Sequence, residues 1–388
     1  MAQDNPFVYG EIVSASAFAD REQERARLGQ DLAEGQKVFL ISPRRYGKSS
    51  LVRDVLRSLA RQRILTVEVT VAASSSYLGF LEAYARALLT ADTSVGRIRR
   101  WTQELLEAVR PEVRIDGPSV SPGGSSAGRV TVAFPSVRTA RDTARLAAEV
   151  FALPGRIATA RKQRLAIALD EFQAVAAFDG GNVEHALRAA VQDQRSVGYV
   201  FAGSEPSLME RMLEVKRPFY KAGPVLRLQK IDPEFFATFL EVRFASSGLK
   251  PEAGLGAAIV ELAANVPYDV QRLAHETWDD VRVAGRRTAG LEDLHATLTR
   301  LLGEHQTAFE EQWQRLTLIQ RAVLRALILE EGRELLSGDV RTRHRLPVAS
   351  SVQSALAALL KQDIVMKEGT RYVAADSLYR EWVARKTF

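Results

Sequence analysis

The sequence predicts an α/β fold in which helices cover both faces of a parallel β-sheet. Two patterns lead to this prediction. Along residues 1–250, short apolar runs typical of buried strands alternate with segments of helical periodicity. The chain then becomes mainly helical and ends in a pattern of three helices and a two-stranded ribbon, which is typical of a winged helix-turn-helix.

The strands and helices of the first region alternate as a parallel sheet requires. The predicted strands are residues 38–41 (VFLI), 64–71 (ILTVEVTV), 165–169 (LAIAL), 199–202 (YVFA) and 225–228 (VLRL). Helical spacing of apolar residues predicts helices at 47–63, 77–89 and 97–109. Because parallel neighbours are joined by crossover connections, usually helices, this alternation favours parallel strands.

Residues 111–139 interrupt the alternation. They contain SVSPGGSSAG at residues 119–128, flanked by alternating stretches at 113–115 and 130–134. This pattern predicts a β-hairpin with a mobile tip, inserted into the α/β region. A surface loop without a function of its own is the simpler alternative.

Asp232 and Pro233 start the helical region, because aspartate caps helix N-termini and proline suits the first helical position. Further helices are predicted at residues 253–264, 269–284 and 291–316. After Thr317 the pattern predicts helices at 318–330, 337–343 and 349–362, a ribbon at 364–367 and 371–374, and a final helix. This last group gives the winged helix-turn-helix.

The composition excludes several classes of function. The 388 residues include no cysteine, which excludes disulfides, thiol catalysis and zinc sites with cysteine ligands. The five histidines show no metal-binding spacing. No apolar run approaches the roughly 18–20 residues of a membrane span, and the N-terminus lacks the features of a signal peptide, so we expect a cytoplasmic protein with no membrane partner. A net charge of +6 mildly favours an anionic partner.

The segment after the first strand has the pattern of a phosphate-binding loop. Residues 42–49 (SPRRYGKS) match G-x-x-x-x-G-K-[ST] at every defined position except the first, where Ser42 replaces glycine. Backbone N–H groups of such a loop wrap around a phosphate, the lysine reaches the β- and γ-phosphates, and the hydroxyl binds Mg²⁺. We expect ATP or ADP to bind through Ser42, Pro43, Arg44, Arg45, Tyr46, Gly47, Lys48, Ser49 and Ser50.

The strand at residues 165–169 ends in Asp170 and Glu171, which is the Walker B pattern. We expect Ser49 and Asp170 to hold Mg²⁺, and Glu171 to polarise the attacking water. The strand at 199–202 leads to Ser204, which lies near the γ-phosphate as a sensor if the two strands are neighbours. The alternative role for Ser204 is to cap the helix that follows, and the two roles are compatible. Lys48, Glu171 and Ser204 are thus the predicted catalytic residues.

These motifs resemble those of prokaryotic AAA+-type P-loop ATPases, in particular the archaeal-ATPase branch that is related to the STAND ATPases. The resemblance covers nearly the whole chain. It rests on Asn5-Pro6-Phe7, Phe18 with Arg21-Glu22, SPRRYGKS at 42–49, DEFQ at 170–173, AGS at 202–204, NVPY at 265–268, and the segments 341–346 and 379–382. In this chain Ser42 and Asn265 stand where the family usually has glycine.

The resemblance implies three domains and further site residues. It implies a P-loop (ASCE/AAA+-type) ATPase domain at 1–250 with the insertion at 111–139, a helical lid at 251–316, and a winged helix-turn-helix at 317–388. In the lid, the resemblance implies that Pro267 packs on adenine. Phe18 and Arg21 are further candidates for nucleotide contacts. Arg217 and Lys221 are the candidates for an arginine finger, the cation that a neighbouring subunit supplies to the phosphates.

The implied function is a Mg²⁺-dependent, slow and regulated ATPase that acts as a molecular switch. Its winged helix either contacts double-stranded DNA or serves another role. For DNA, the helix at 349–362 would enter the major groove, and Arg341, Arg343 and Arg345 would contact phosphates. Alternatively the module binds a protein or locks the core, because the helix has no Arg or Lys before Lys361. Assembly into a homo-oligomer and binding of a protein partner are further alternatives.

Overall fold

The computed structural model describes residues 4–10, 18–91, 112–116, 129–134, 137–178 and 182–386. The predicted helix at 97–109 and the predicted hairpin tip at 119–128 lie outside these residues. None of the described helices combines the length and the apolar character that a membrane span needs.

The chain divides into two compact units. One comprises Ser14–Gln229, and the other comprises Met1–Val13 together with Lys230–Phe388. The sequence places the end of the ATPase domain near residue 250, whereas the compact units divide after Gln229. The difference arises because the helix Pro233–Ser246 packs against the helix Leu255–Leu262 in the second unit.

The first unit is built around a parallel sheet. Its strands are β1 (Lys37–Ile41), β2 (Leu65–Thr70), β3 (Glu112–Asp116), β4 (Arg129–Ala133), β5 (Leu165–Asp170), β6 (Val197–Gly203) and β7 (Val225–Arg227). Five of them form a sheet in the order β2-β5-β6-β1-β7, and every neighbouring pair is parallel, as predicted. Strands β3 and β4 pair antiparallel, which confirms the predicted hairpin.

Helices cover both faces of this sheet. They are α1 (Glu22–Ala33), α2 (Lys48–Arg61), α3 (Tyr77–Ala91), α4 (Ala140–Arg161), α5 (Asn182–Gln192) and α6 (Pro206–Met212). Alternate side chains of β5 enter different cores, because successive residues of a strand point to opposite faces. Ile167 and Leu169 belong to the larger core, whereas Ala166 and Ala168 face the core that α1 and α2 complete. All six residues of β5 are buried, as the apolar run predicts.

The second unit is mainly helical. Its helices are α7 (Pro233–Ser246), α8 (Leu255–Leu262), α9 (Pro267–Val283), α10 (Leu291–Glu304), α11 (Gln306–Gln314), α12 (Leu318–Leu329), α13 (Gly338–Arg343), α14 (Ala349–Lys361) and α15 (Ser377–Arg385). Two short strands, β8 (Lys250–Pro251) and β9 (Thr288–Ala289), pair in parallel, and β10 (Val365–Glu368) and β11 (Arg371–Ala374) form the antiparallel wing. The Asp232 carboxylate accepts the Phe235 N–H at 2.9 Å, which confirms the predicted N-cap.

The prediction of one helix over residues 291–316 is wrong. Two helices, α10 and α11, meet at His305. Beyond this break, the rings of Phe309 and Trp313 pack against Trp382 of α15, with centroids 6.0 and 6.2 Å apart. Tertiary packing therefore stabilises α11 as a separate element, and helical periodicity alone does not report such a break.

Polar contacts join α15 to the helices of the predicted lid. The Ser377 hydroxyl donates to Asp269 of α9 at 2.9 Å, and both side chains are buried. The Arg380 guanidinium donates to the carbonyls of Glu261 and Leu262 at the end of α8. The opening segment also belongs to this unit, since the Asn5 amide donates to Asp279 at 2.9 Å.

Candidate functional site

The predicted phosphate-binding loop connects β1 to α2. Gly47 is the N-cap of α2 and has a φ of 83°. A Cβ there would meet nothing within 4 Å, so the position favours glycine for its left-handed backbone and not for space. Ser42, the departure from the pattern, is buried, and its hydroxyl donates to the Pro43 carbonyl at 2.8 Å. The fold thus accommodates the serine with a local hydrogen bond.

Lys48 and Ser49, at the start of α2, meet the end of β5. The Lys48 ammonium donates to Asp170, and its nitrogen is 3.3 Å from Glu171 Oε1. The Ser49 hydroxyl donates to the other Asp170 oxygen at 2.9 Å. The Lys48 side chain is 5% exposed and that of Asp170 is 10% exposed. The buried ammonium is therefore compensated by the two carboxylates at the end of β5.

Glu171 receives hydrogen bonds from two neutral side chains. The Ser204 hydroxyl, at the end of β6, donates to Glu171 Oε2 at 2.5 Å, and the Gln173 amide donates to the same oxygen at 2.6 Å. Burial raises the pKa of Glu171, but the Ser204 hydroxyl, the Lys48 ammonium and the Gln173 amide together lower that pKa below its usual value. Glu171 is consequently held as a carboxylate, the form that accepts a proton.

Gln173 is a site residue that the sequence reasoning missed. It lies in the short 3-10 helix Phe172–Ala177 and is 6% exposed. A Cβ on Gly203 would lie 2.4 Å from Met209 and 2.9 Å from Gln173 Oε1, so the absence of a side chain at Gly203 makes room for this amide. The available signal was a polar residue two positions after Glu171 in an otherwise apolar segment.

The oxygen atoms of Ser49 and Asp170 suit Mg²⁺, which is a hard cation that binds few protein groups and keeps waters or substrate phosphates as its other ligands. Their hydrogen bond shows that the two side chains converge on one point. Within the described part of the chain, no group of three or more His, Cys, Asp or Glu side chains could hold a metal ion. The donor set therefore fits a metal shared with phosphates and not a metal held by protein alone.

The remaining predicted nucleotide residues lie in varied surroundings. In the loop, Tyr46 and Ser50 are buried, and Arg44 is exposed with its guanidinium 3.8 Å from Glu205. Arg45 has a positive φ of 70°. These positions belong to the loop as predicted, and their contacts with a nucleotide stay predictions.

Two further predicted residues, Phe18 and Arg21, make their described contacts away from Lys48. Phe18 packs on the core beneath α1 and α2. The buried Arg21 guanidinium donates to the Gln229 carbonyl at 2.5 Å and to Glu24 at 2.8 Å, so it binds the last residue of the first unit. Pro267 is the first residue of α9, in the second unit. Its contact with adenine stays a prediction.

Arg217 and Lys221 lie between α6 and β7, and both are exposed. Their role as an arginine finger also stays a prediction.

Helix α14, the helix predicted to enter the major groove, has one buried face. Val352, Leu356 and Leu359 are buried, whereas Gln353 and Ser354 are exposed. Leu360 is half-buried.

Part of the basic cluster before this helix is already paired. Arg343 donates to Glu330 at 2.8 Å, and the His344 ring nitrogen lies 2.6 Å from the same Glu330 oxygen. Arg341 donates to the Leu336 carbonyl at 3.2 Å, and Arg345 is exposed. These pairings reduce the charge that the cluster presents to an anionic partner.

Residues 307–385 match a family model described as a probable winged helix domain. None of the curated protein sequences matches the chain. Solved structures are similar over almost its full length. A Walker-type ATPase of Pyrococcus abyssi is 16% identical, with a TM-score of 0.59 over 95% of this chain and 97% of that chain. The chain has an AAA+-type P-loop ATPase fold with a C-terminal winged helix domain.

Two archaeal proteins share this AAA+-type fold. The ORC2 protein of Aeropyrum pernix, solved as ADPNP–ADP complexes, is 14% identical, with a TM-score of 0.55 over 99% of this chain and 95% of that chain. The ORC1 protein of the same organism, solved in complex with DNA, is 15% identical, with a TM-score of 0.50 over 94% of this chain and 91% of that chain. These likenesses confirm the predicted fold, while the relation to STAND ATPases stays a prediction.

Proposed function

We propose that this protein binds ATP and hydrolyses it to ADP and phosphate in a Mg²⁺-dependent reaction. The observation that supports this is the convergence of Lys48, Ser49, Asp170, Glu171 and Ser204 at the carboxyl edge of the sheet. An ammonium, a hydroxyl with a carboxylate, and a second carboxylate are the groups that phosphoryl transfer to water requires. The nucleotide complexes of the structurally similar ORC2 protein support the same proposal.

In the proposed reaction, Glu171 accepts a proton from the water that attacks the γ-phosphorus. The bond from that phosphorus to the bridging oxygen breaks, and its electron pair stays on ADP. Lys48 stabilises the charge on the β- and γ-phosphate oxygens, which compete with Asp170 and Glu171 for its ammonium. Mg²⁺ held by Ser49 and Asp170 would neutralise phosphate charge.

Two substitutions test this proposal. Lys48→Ala should remove most nucleotide affinity, and Glu171→Gln should retain binding but abolish hydrolysis, because an amide cannot accept the proton. Glu210→Gln, an exposed carboxylate on α6 in the same unit, is the matched control and should hydrolyse ATP normally. Hydrolysis at the original rate in both site variants would end the ATPase proposal.

We further propose that the nucleotide state controls the second unit, so that the protein acts as a regulated switch. The contacts from Ser377 and Arg380 to α9 and α8 support this, because they join the winged helix to the predicted lid. Hydrogen exchange of the Glu171→Gln variant with ATP and with ADP is the test. Identical exchange of residues 255–385 in the two states would refute the switch.

The winged helix would contact double-stranded DNA through Arg341, Arg343, Arg345 and the outer face of α14. The DNA complex of the structurally similar ORC1 protein supports this role. Replacing the three arginines by glutamine should weaken duplex binding and lower its salt dependence by about one unit for each lost phosphate contact. Unchanged affinity and salt dependence would reject it.

One observation favours a protein partner instead. Leu318, Ile319 and Val348 are 80%, 44% and 63% exposed on the winged helix domain. Exposed apolar groups of this kind mark protein contacts more than DNA contacts. Under this alternative, the protein is a signalling or scaffold ATPase, and Leu318→Ser should disturb its assembly state in solution without affecting duplex binding.

A further inference from the structure

Two basic turns lie at the end of the sheet opposite the Lys48 site. Residues 61–64 lead into β2 and residues 161–164 lead into β5, and Leu65 pairs with Leu165 where the two neighbouring strands begin. Strand β5 has six residues and therefore spans about 20 Å between the turns and Asp170. A ligand bound at these turns would be separate from the nucleotide phosphates.

Between the two turns lies an open recess of about 530 Å³, lined by residues 62–64 and 161–164. The cations of the two turns are Arg61, Arg63, Arg161, Lys162 and Arg164, whereas neither turn contains a carboxylate. Gln62 and Gln163 add two neutral amides to the lining. Arg61, Arg63, Lys162 and Arg164 are exposed, and no ion pair involves any of these four within the described part of the chain.

Helix stability accounts for part of this charge only. Arg61 and Arg161 end α2 and α4, where a cation interacts favourably with the negative end of the helix dipole. Arg63 and Arg164 lie beyond the helices, where that interaction fades. Lys162 has left-handed backbone as the C-cap of α4, a position that glycine or asparagine would fill more easily. The helix dipole therefore does not account for Arg63, Lys162 and Arg164.

The recess is held in a fixed shape by bonds between its two turns. The Gln163 amide donates to the Arg63 carbonyl, and the Leu65 N–H donates to the Arg164 carbonyl at 3.0 Å. The Arg164 guanidinium also donates to the Ala33 carbonyl, which fixes its direction. Like charges held together in this way repel one another, and a bound anion would relieve that repulsion.

The turns before β6 and β1 differ from these two turns because they contain carboxylates. The turn before β6 combines Arg195 with Asp193, and the turn before β1 contains Glu34. Among these four turns, only the turns before the neighbouring strands β2 and β5 combine several cations with no carboxylate.

We propose that this recess binds the sugar-phosphate backbone of duplex DNA without reading its sequence. Guanidinium groups form forked hydrogen bonds with phosphate, and an amide such as that of Gln62 donates to phosphate and sugar oxygens. The lining residues include no aromatic ring, so the recess offers no stacking platform for single-stranded bases. Ile64 is its one apolar residue, whereas the cores of protein–protein interfaces are apolar and depleted of charge.

The test is duplex binding by the full chain as a function of salt. The recess variant replaces four cations by glutamine: Arg61, Arg63, Lys162 and Arg164. A matched control replaces four exposed arginines of the same unit by glutamine: Arg86, Arg138, Arg141 and Arg145. The probe is a 30-base-pair duplex of arbitrary sequence, with polyglutamate as a second probe. Circular dichroism and the melting temperature check folding, and the milder variant Lys162→Gln serves if the recess variant does not fold.

We expect the recess variant to bind the duplex roughly tenfold or more weakly near 100 mM salt, with the salt slope reduced by about 3 to 4 units. The control should bind as the original protein does. An equal loss in the control, unchanged binding in the recess variant, or no duplex binding by the original protein would overturn the proposal. Binding of polyglutamate in preference to duplex would overturn it in favour of an acidic protein partner. This experiment measures DNA binding and not ATP hydrolysis. A negative result would therefore reject the DNA-binding recess and leave the proposed hydrolysis unaffected.

Discussion

Replacing Lys48 by methionine should destabilise the first unit as well as abolish nucleotide binding. The substitution retains the aliphatic stem but removes the ammonium that pairs with Asp170, and both side chains are at most 10% exposed. Breaking a buried ion pair costs about 3–5 kcal/mol. The Ser49 hydroxyl and the Glu171 N–H still donate to Asp170, which offsets about 1 kcal/mol of this cost. We therefore expect a loss of about 2 to 4 kcal/mol.

A double-mutant cycle separates this electrostatic cost from lost packing. Asp170→Asn removes the charge that Lys48→Met leaves uncompensated. The double variant should consequently be more stable than the sum of the two single effects predicts, by about 1 kcal/mol or more. Arg57→Met, an exposed position on the same helix α2, is the control and should change stability by less than about 0.5 kcal/mol.

Urea unfolding in the absence of nucleotide measures these effects. Circular dichroism reports the unfolding of both units. Tryptophan fluorescence reports mainly on the second unit, because three of the four tryptophans lie there: Trp278, Trp313 and Trp382. A loss of stability in the first unit should therefore shift the transition seen by circular dichroism more than the transition seen by fluorescence. Strictly additive single effects, or a Lys48→Met protein as stable as the Arg57→Met control, would show that the ion pair is not a buried, coupled interaction.

Three further substitutions give independent tests. Ser204→Ala should raise the pKa of Glu171, because burial raises that pKa and the hydrogen bond from the Ser204 hydroxyl lowers it. The acidic limb of the pH profile of kcat/KM should therefore move to higher pH. An unmoved limb would contradict the role of Glu171 as the base. Gly47→Ala should cost about 1 kcal/mol of stability and weaken ATP binding, measured by calorimetry, because φ is 83° there. Glu330→Gln should release Arg343 and strengthen duplex binding at low salt, and equal affinity would argue against a DNA role for this arginine.

The sequence is sufficient to predict the sheet and most of the side chains that converge in the candidate site, for a physical reason. Strands buried on both faces are short apolar runs, and the chemistry of phosphate requires a loop at the start of a helix. Lys48, Ser49, Asp170 and Glu171 follow directly from those two patterns. The sequence predicts that Ser204 lies near Glu171 only if their strands are neighbours. Strand β6 does lie beside β5, and the Ser204 hydroxyl donates to Glu171.

Features set by distant partners were beyond sequence reasoning. Gln173 becomes a site residue because a short 3-10 helix folds it back towards Glu171 and because Gly203 leaves room for it. Arg343 is engaged by Glu330, thirteen positions away in sequence, so a cluster of arginines in the sequence is not equivalent to a free basic surface. Periodicity reports which face of an element is buried and does not report which partners reach it.

The junction between the predicted lid and the winged helix favours a mechanism in which the two move together. The Arg321 side chain of α12 donates to the carbonyls of Trp313 and Gln314 at 2.9 Å each, across the turn that separates α11 from α12. Thr317 caps α12 and accepts the Gln320 N–H, which fixes that turn at its other end. A winged helix released by a flexible linker would leave such carbonyls to water. A rigid connection instead transmits any displacement of the lid to the face of α14, and this is what a nucleotide-controlled contact with DNA or protein requires.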